Sequence, residues 1–186
     1  MKHLAILAGD GIGPEVIREG LKVLDAVAEI SSFQYDAEEF DIGSERYLRS
    51  GELIRDEEWD ALGKKDAIYF GAIGDPRVKP GILEKGILLT MRARFDQYIN
   101  LRPVTSWHPY VPLKKHFDFD IHFLRENTED FYIGAGGNLR PGEMRSRMKV
   151  VRGMYTLDLD LQAQADPEDE FAFEIGVLSR KGVERF

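Results

Sequence analysis

A short apolar run that ends in a glycine-rich turn constrains the fold of this chain most strongly. Leu4 to Ala8 is apolar, and Gly9-Asp10-Gly11-Ile12-Gly13-Pro14 follows it directly. An apolar run ended by glycines is typical of a strand that is buried on both faces. Pro14 suits the first turn of a helix, where its missing N–H costs nothing, and apolar residues continue at helical spacing to Ala28. The sequence therefore predicts a strand, a tight turn and a helix in succession.

The alternation of strands and helices continues as far as residue 97. The further predicted elements are strands over residues 33–37 and 67–70 and helices over residues 43–50, 56–64 and 86–97. Strands that alternate with helices favour parallel pairing. The fold class predicted for this part of the chain is therefore α/β.

The pattern changes after Pro103. The predicted features are a strand from Ile121 to Leu124, a loop at Gly134, Gly136 and Gly137, and two strand-like stretches, Met148 to Leu161 and Phe171 to Leu178. The acidic segment from Asp166 to Asp169 separates the two stretches and predicts a turn between them. We therefore expect a hairpin that forms a projecting arm over about residues 146–179.

Composition excludes several classes of protein. A net charge of −8 disfavours binding to nucleic acid, which needs a basic face, and to anionic membrane surfaces. The sequence contains no cysteine, which rules out disulfides and thiolate nucleophiles and fits a cytoplasmic protein. No apolar run approaches the roughly 20 residues that span a bilayer, and the first apolar stretch is too short for a signal peptide. We therefore expect a cytoplasmic location.

The glycine-rich turn could bind a ligand. Glycines let the backbone approach a ligand closely, and the start of the following helix favours negative charge. The spacing G-x-G-x-G-P differs from the Rossmann fingerprint. From these residues alone, a tight turn that binds nothing is the favoured interpretation.

Arginines stand at three separate points beyond this turn. Arg92 lies on a predicted helix that also carries Leu88 four residues earlier, Arg102 follows a strand-like segment, and Arg125 closes a strand. Arginine grips carboxylates with a planar, permanently charged fork, so convergent arginines indicate a polyanionic small substrate. Tyr132, near Arg125, is then a candidate proton donor. The alternatives are surface ion pairs for each arginine and a packing role for the tyrosine.

Three motifs in this order resemble the isocitrate/isopropylmalate dehydrogenase family, the β-decarboxylating dehydrogenases. They are Gly9 to Val16, Met91 to Pro103 and Arg125 to Tyr132, and the resemblance extends to Ser179–Arg185. The family contains isopropylmalate, isocitrate, homoisocitrate, tartrate and D-malate dehydrogenases. The resemblance implies a truncated isopropylmalate dehydrogenase-like fold with a projecting hairpin arm that clasps a second subunit in a homodimer.

The resemblance also implies a reaction. Family members oxidise the hydroxyl group of a 2-hydroxy acid with NAD or NADP and a divalent cation, Mg²⁺ or Mn²⁺, and the product then loses carbon dioxide. By this resemblance Arg92, Arg102 and Arg125 bind the carboxylates, and Tyr132 is the general acid. The residues that would lie against the cofactor are Ile12, Ala72, Ile73 and Gly74.

Substrate choice depends on an apolar segment. Ile87, Leu88 and Leu89 stand where isocitrate enzymes present polar side chains, and an apolar wall disfavours a third carboxylate. It favours 3-isopropylmalate, or a smaller substrate such as D-malate or tartrate. Lys85 stands where isopropylmalate enzymes often carry an acid, which weakens the first assignment.

The resemblance predicts two domains and an incomplete active site. Residues 1–99 would begin the cofactor-side domain, and residues 100–186 would begin a substrate and dimerisation domain. The family's catalytic lysine, metal-binding aspartates and adenosine-binding segment have no counterpart in this sequence, so we expect the chain alone to be inactive. It would be part of a working dehydrogenase, either a fragment of one or one half of a split enzyme that a second chain completes. The alternative is a catalytically silent relative that self-associates and at most binds dicarboxylates.

Overall fold

Two compact units make up the chain in a computed structural model. The structure describes residues 1–107, 113–115, 117–140, 145–163 and 168–186. The units are Met1–Thr90 and Met91–Phe186, so the division falls before the expected boundary between residues 99 and 100.

The first unit alternates strands and helices. Its elements are β1 (Lys2–Gly9), α1 (Gly13–Ile30), β2 (Tyr35–Glu39), α2 (Ser44–Ser50), α3 (Asp56–Gly63), β3 (Ala67–Ala72) and a π-helical segment (Glu84–Leu89). The three strands form a parallel sheet in the order β2-β1-β3, which confirms the predicted parallel α/β arrangement. The helix predicted over residues 86–97 is interrupted, because π-helical geometry gives way to α4 (Thr90–Arg94).

The core of the first unit lies between β1 and α1. Leu4, Ile6 and Ile17 are buried together. Ala5 and Leu7 are buried as well. Because alternate residues of a strand point to opposite faces, these two lie on the other face of β1. Strand β1 is therefore covered on both sides, as predicted. Among the described residues, no helix combines the length and the apolar character that crossing a membrane requires.

The second unit is built mainly from antiparallel strands. Its elements after α4 are β4 (Ile99–Thr105), β5 (Asp120–Glu126), β6 (Asp130–Leu139), β7 (Arg145–Arg152), β8 (Tyr155–Gln162), β9 (Phe171–Val177) and α5 (Arg180–Arg185). The strands pair as β4-β5, β6-β9 and β7-β8. Ile133, Ala135 and Val150 form the buried core of this unit.

The predicted loop at Gly134, Gly136 and Gly137 was wrong, because all three glycines lie within β6. A Cβ atom on Gly136 would approach the carbonyl oxygen of Phe173 on the paired strand within 2.7 Å. The β6-β9 register also shifts between Asp130 and Ala135. These glycines therefore permit close strand pairing and an irregular register.

The predicted hairpin was also wrong. Met148 to Leu161 is two strands, β7 and β8, joined by a turn at Gly153 and Met154, and β9 pairs with β6. The apolar face of the β7-β8 hairpin packs on Ile133 and Ala135 of the same unit, because alternation places its apolar side chains on one face. A projecting arm is not confirmed. Asp166 and Pro167 of the acidic segment lie outside the described residues.

Candidate functional site

The turn between β5 and β6 places Arg125 and Tyr132 near each other. Arg125 lies one residue before the end of β5, and Tyr132 is the third residue of β6. The guanidinium carbon of Arg125 lies 5.2 Å from the centre of the Tyr132 ring, and that of Arg92 lies 5.9 Å from it. Both distances are within the range of cation–π attraction. The ring therefore lies next to two of the three predicted arginines.

Two asparagine side chains link the remaining arginine to this group. Asn100 lies opposite Arg125 in the β4-β5 pair, and its Oδ1 accepts a 2.9 Å hydrogen bond from Nε of Arg102. Its Nδ2 donates to Oδ1 of Asn127 over 3.2 Å, and Nη2 of Arg125 donates to the same oxygen over 3.4 Å. Sequence reasoning missed both asparagines, although Asn100 and Asn127 lie inside the motifs it singled out. They connect Arg102 and Arg125 without neutralising either charge.

The three arginines carry positive charge that the described residues do not neutralise. Within these residues, Arg92, Arg102 and Arg125 form no ion pair with a carboxylate. Other arginines do, as Arg46 does with Glu58 and Arg145 with Asp160. The alternative of scattered surface ion pairs therefore does not describe this group.

The arginines also affect one another. Burial, followed by the positive charges of Arg125 and Arg102, lowers the pKa of Arg92, whereas Tyr132 opposes the shift. The Nε atom of Arg125 is buried without a hydrogen-bond acceptor among the described residues. Like charges held together with an unused donor form a site that an anion would stabilise.

Glu126 stabilises the turn between the two strands. Its Oε2 accepts hydrogen bonds from the N–H groups of Thr128 (2.9 Å) and Glu129 (2.8 Å), and its Oε1 accepts from the Thr128 hydroxyl (2.7 Å). Burial raises the pKa of Glu126, but these hydrogen bonds outweigh it and hold that pKa below its usual value. The turn therefore closes around a charged carboxylate.

Arg152 makes a second connection to this turn from β7. Its Nε donates to the carbonyl oxygen of Thr128 and its Nη2 to that of Tyr132, each over 3.1 Å. Nothing in the local sequence pattern indicates this contact, because Arg152 follows the turn by about twenty residues on another strand. Sequence reasoning therefore missed it.

The glycine-rich turn lies at the carboxyl edge of the parallel sheet in the first unit. Gly9 and Gly11 have positive φ values of 72° and 54°. A Cβ atom on Gly9 or Gly13 would collide with the carbonyl oxygens of Ala72 or Ala8, so the backbone segments approach closely. Ile12 is 64% exposed at the start of α1. In the order β2-β1-β3, the second and third strands lie on opposite sides of β1. Ligands in open α/β sheets bind at the carboxyl edge where the strand order reverses in this way.

Asp10 holds the loops at this edge together. It is 5% exposed, and its two carboxylate oxygens accept hydrogen bonds from the N–H groups of Ser44 (2.6 Å) and Gly74 (3.0 Å). Three loops, those after β1, before α2 and after β3, therefore meet at one side chain. Sequence reasoning read Asp10 only as part of a turn and missed this role.

Leu88 lies in the first unit, in the π-helical segment, where it is half-buried beside the buried Ile87. The three arginines lie in the second unit. A role for Leu88 in substrate binding, like those of Ile12, Ala72, Ile73 and Gly74 in cofactor binding, stays a prediction. Within the described parts of the chain, no group of three or more histidines, aspartates or glutamates could hold a metal ion.

The chain matches known proteins over nearly its whole length. The family model described as isocitrate/isopropylmalate dehydrogenase matches residues 3–186. A 3-isopropylmalate dehydrogenase from Beutenbergia cavernae is 49% identical over 170 residues, which are 88% of this chain and 49% of that protein. One from Corynebacterium aurimucosum is 47% identical over 184 residues, 98% of this chain and 46% of that protein.

Solved structures of related dehydrogenases also match the whole chain. A β-decarboxylating dehydrogenase from Thermococcus kodakarensis matches all of this chain with a TM-score of 0.57 and 25% identity, over 43% of its own length. Isocitrate dehydrogenase from Methylococcus capsulatus matches all of this chain with a TM-score of 0.69 and 22% identity, over 45% of its own length. The second likeness concerns the fold alone.

The chain spans about half the length of the curated relatives it matches. The match to the family model nevertheless includes every candidate residue, from Ile12 to Tyr132. The chain therefore belongs to the isocitrate/isopropylmalate dehydrogenase family.

Proposed function

We propose that this chain supplies the dicarboxylate-binding and proton-donating part of an NAD-dependent dehydrogenase that oxidatively decarboxylates a 2-hydroxy dicarboxylic acid. One observation carries the proposal. Arg92 and Arg125 lie against the ring of Tyr132, Arg102 is linked to Arg125 through asparagines, and none of the three has a carboxylate partner among the described residues. Such a group is suited to a ligand with two carboxylates.

The chemistry of these side chains supports distinct roles. Guanidinium forks bind carboxylates and orient them, and they stay charged throughout the physiological pH range. The phenol of Tyr132 can hold a proton next to the bound acid and return it to the carbon that loses carbon dioxide. We assign substrate binding to Arg92, Arg102 and Arg125 and proton donation to Tyr132.

We place the cofactor at the carboxyl edge of the parallel sheet. NAD would accept the hydride, and NADP is the alternative. Support comes from the close backbone approaches at Gly9 and Gly13, the exposed Ile12 and the neighbouring loop of Ala72–Gly74. The described residues do not fit the family's divalent cation, since no ligand group gathers among them, and we assign this chain no metal-dependent step.

The names of the relatives favour 3-isopropylmalate as the substrate. Ile87 is buried inside the first unit and its neighbours Leu88 and Leu89 are half-buried, and a substrate contact for Leu88 rests on the family resemblance alone. D-malate and tartrate remain the alternatives. We also propose a homodimer, which the exposed apolar side chains Leu101, Phe123 and Leu124 on β4 and β5 support.

Isothermal titration calorimetry with the 186-residue chain tests the dicarboxylate site. The ligands are 3-isopropylmalate, D-malate, tartrate and isocitrate, with lactate as the matched 2-hydroxy monocarboxylate. Arg125→Gln should weaken dicarboxylate binding by roughly tenfold or more, the effect of losing a charge-assisted hydrogen bond. Arg147→Gln is the control, because Arg147 is exposed and pairs with Asp160. Equal affinity for lactate and the dicarboxylates, or equal losses in both variants, would contradict the proposal.

A further inference from the structure

Arg152 connects Thr128, in the turn that follows β5, with Tyr132, the third residue of β6. Its Nε and Nη2 atoms donate to the carbonyl oxygens of Thr128 and Tyr132, and its Nη1 donates to the carbonyl oxygen of Val151 over 2.8 Å. All three of these contacts are to the backbone. The guanidinium therefore acts on the path of the chain itself.

The shape of the side chain matters for this contact. A guanidinium presents its donors in a rigid plane, so it can reach two carbonyl oxygens at once with little loss of freedom. An ammonium group carries its three donors on one nitrogen at the end of a flexible stem, so it does not match the spacing of two separated carbonyl oxygens as the guanidinium plane does. Arginine is therefore the side chain that can fix both Thr128 and Tyr132 together.

The segment that Arg152 bridges contains a backbone conformation that is unfavourable by itself. Asp130 has a φ of 56°, a left-handed conformation that residues other than glycine adopt at a cost. The N–H of Tyr132 donates to the carbonyl oxygen of Glu129 over 3.1 Å, so Tyr132 is bonded through both of its backbone groups. The direction in which its ring leaves the backbone follows from these bonds.

We propose that Arg152 is a positioning residue for the dicarboxylate site, one that sets the ring of Tyr132 against Arg125 and Arg92. This inference rests on the proposed function. Arg152 acts through the backbone of Tyr132 and does not itself touch the substrate. Loss of its fork lets the turn relax, which moves the ring away from the guanidinium groups and separates the arginines.

The experiment compares Arg152→Gln and Arg152→Lys with the wild-type chain and with Arg147→Gln. Arg147 lies on the same strand but on its charged outer face, where it pairs with Asp160. Nuclear magnetic resonance of the ligand-free chain gives the ring and amide resonances of Tyr132, which Tyr132→Phe and selective labelling assign. Calorimetry with 3-isopropylmalate and D-malate gives the affinities, and urea unfolding gives the stability of each variant.

We expect Arg152→Gln to displace the Tyr132 resonances and to weaken dicarboxylate binding by roughly two- to fivefold, the scale of the cation–π contact that a displaced ring would lose. Arg152→Lys should show a smaller change in both, and Arg147→Gln none. If Arg152→Gln does not fold, Arg152→Lys decides the question by the same two measurements. Unchanged Tyr132 resonances and affinity in a folded Arg152 variant would overturn the proposal, even if urea stability falls.

The ligand-free spectra separate this inference from the proposed function. A wild-type chain that binds no dicarboxylate would defeat the proposed function, but displaced Tyr132 resonances in Arg152→Gln would still support the positioning role. Dicarboxylate binding that survives in Arg152→Gln together with undisturbed resonances would defeat the positioning role alone.

Discussion

The guanidinium of Arg125 lies 5.2 Å from the centre of the Tyr132 ring, although a strand end and a turn separate the two residues along the chain. Arg92 approaches the same ring to within 5.9 Å. One aromatic ring thus lies close to two cations that would otherwise repel each other. The ring helps to assemble the candidate site, apart from any role of the phenol hydroxyl.

Replacing Tyr132 by Phe or by Leu should separate these two contributions. Phe keeps the aromatic face, so dicarboxylate affinity should stay close to that of the wild type. Leu removes it and should weaken binding by about 0.5–1 kcal/mol, the size of an exposed cation–π contact. Calorimetry with 3-isopropylmalate measures both. Equal losses in the two variants would show that the hydroxyl, and not the ring, holds the arginines.

Asp10→Asn should destabilise the first unit. An amide keeps one acceptor oxygen but presents an NH₂ group to a backbone donor, so either Ser44 or Gly74 loses its partner. The expected cost is about 1–3 kcal/mol for a buried unsatisfied group. Urea unfolding followed by the fluorescence of the buried Trp59, in a Trp107→Phe background, reports on this unit. Asp60→Asn, at an exposed position of α3, is the control and should have no effect.

Gly182→Ala and Gly153→Ala should have opposite effects. A Cβ atom on Gly182 would collide with the carboxylate of Glu129, which is only 1% exposed and accepts hydrogen bonds from Ser179. Overpacking of this kind costs about 1–3 kcal/mol, despite the better helix propensity of alanine. Gly153 has open space around its Cβ position and no left-handed φ, so alanine there should be neutral or stabilising by about 0.4–1 kcal/mol. Amide hydrogen exchange in α5 and urea unfolding measure the stability of both variants. A similar loss of stability in Gly182→Ala and Gly153→Ala would contradict this prediction.

Glu126 should make the stability of the second unit depend on pH. Its pKa is lowered in the folded chain, so its contribution is present above the unfolded value of about 4.3 and is lost as pH falls through the folded value. Glu126→Gln should therefore be less stable than the wild type at neutral pH, and the difference should shrink in acid. Urea unfolding at a series of pH values tests this, with Glu174→Gln at an exposed position of β9 as the control. A difference that does not change with pH would refute the role of the charge.

Local sequence patterns predicted the first unit well because its structure is mostly local. The buried run from Leu4 to Leu7 and the helical spacing after Pro14 each report on one element, and parallel pairing follows from their alternation. The π-helical segment Glu84–Leu89 was missed, because its apolar residues also fit an ordinary helix.

The second unit was harder to predict because its pairings are distant. Strand β6 pairs with β9, and the β7-β8 hairpin lies between them in the sequence. An alternating pattern predicts that a segment is a strand, but it does not predict which strand it pairs with. The arginines and Tyr132 stand in recognisable motifs, so sequence could single them out. Arg152 reaches the same turn from another strand, and only the fold brings it there.

The pairing of β1 with both β2 and β3 has a consequence for synthesis on the ribosome. Leu4 pairs with Ala67, so the central strand lacks one of its two neighbours until the ribosome has passed residue 67. Until then one edge of an apolar strand is unpaired, and such an edge invites pairing with other nascent chains. The amphipathic helix α1 follows β1 directly in the chain and packs on one face of it in the folded unit, so we expect it to shield that face while translation continues.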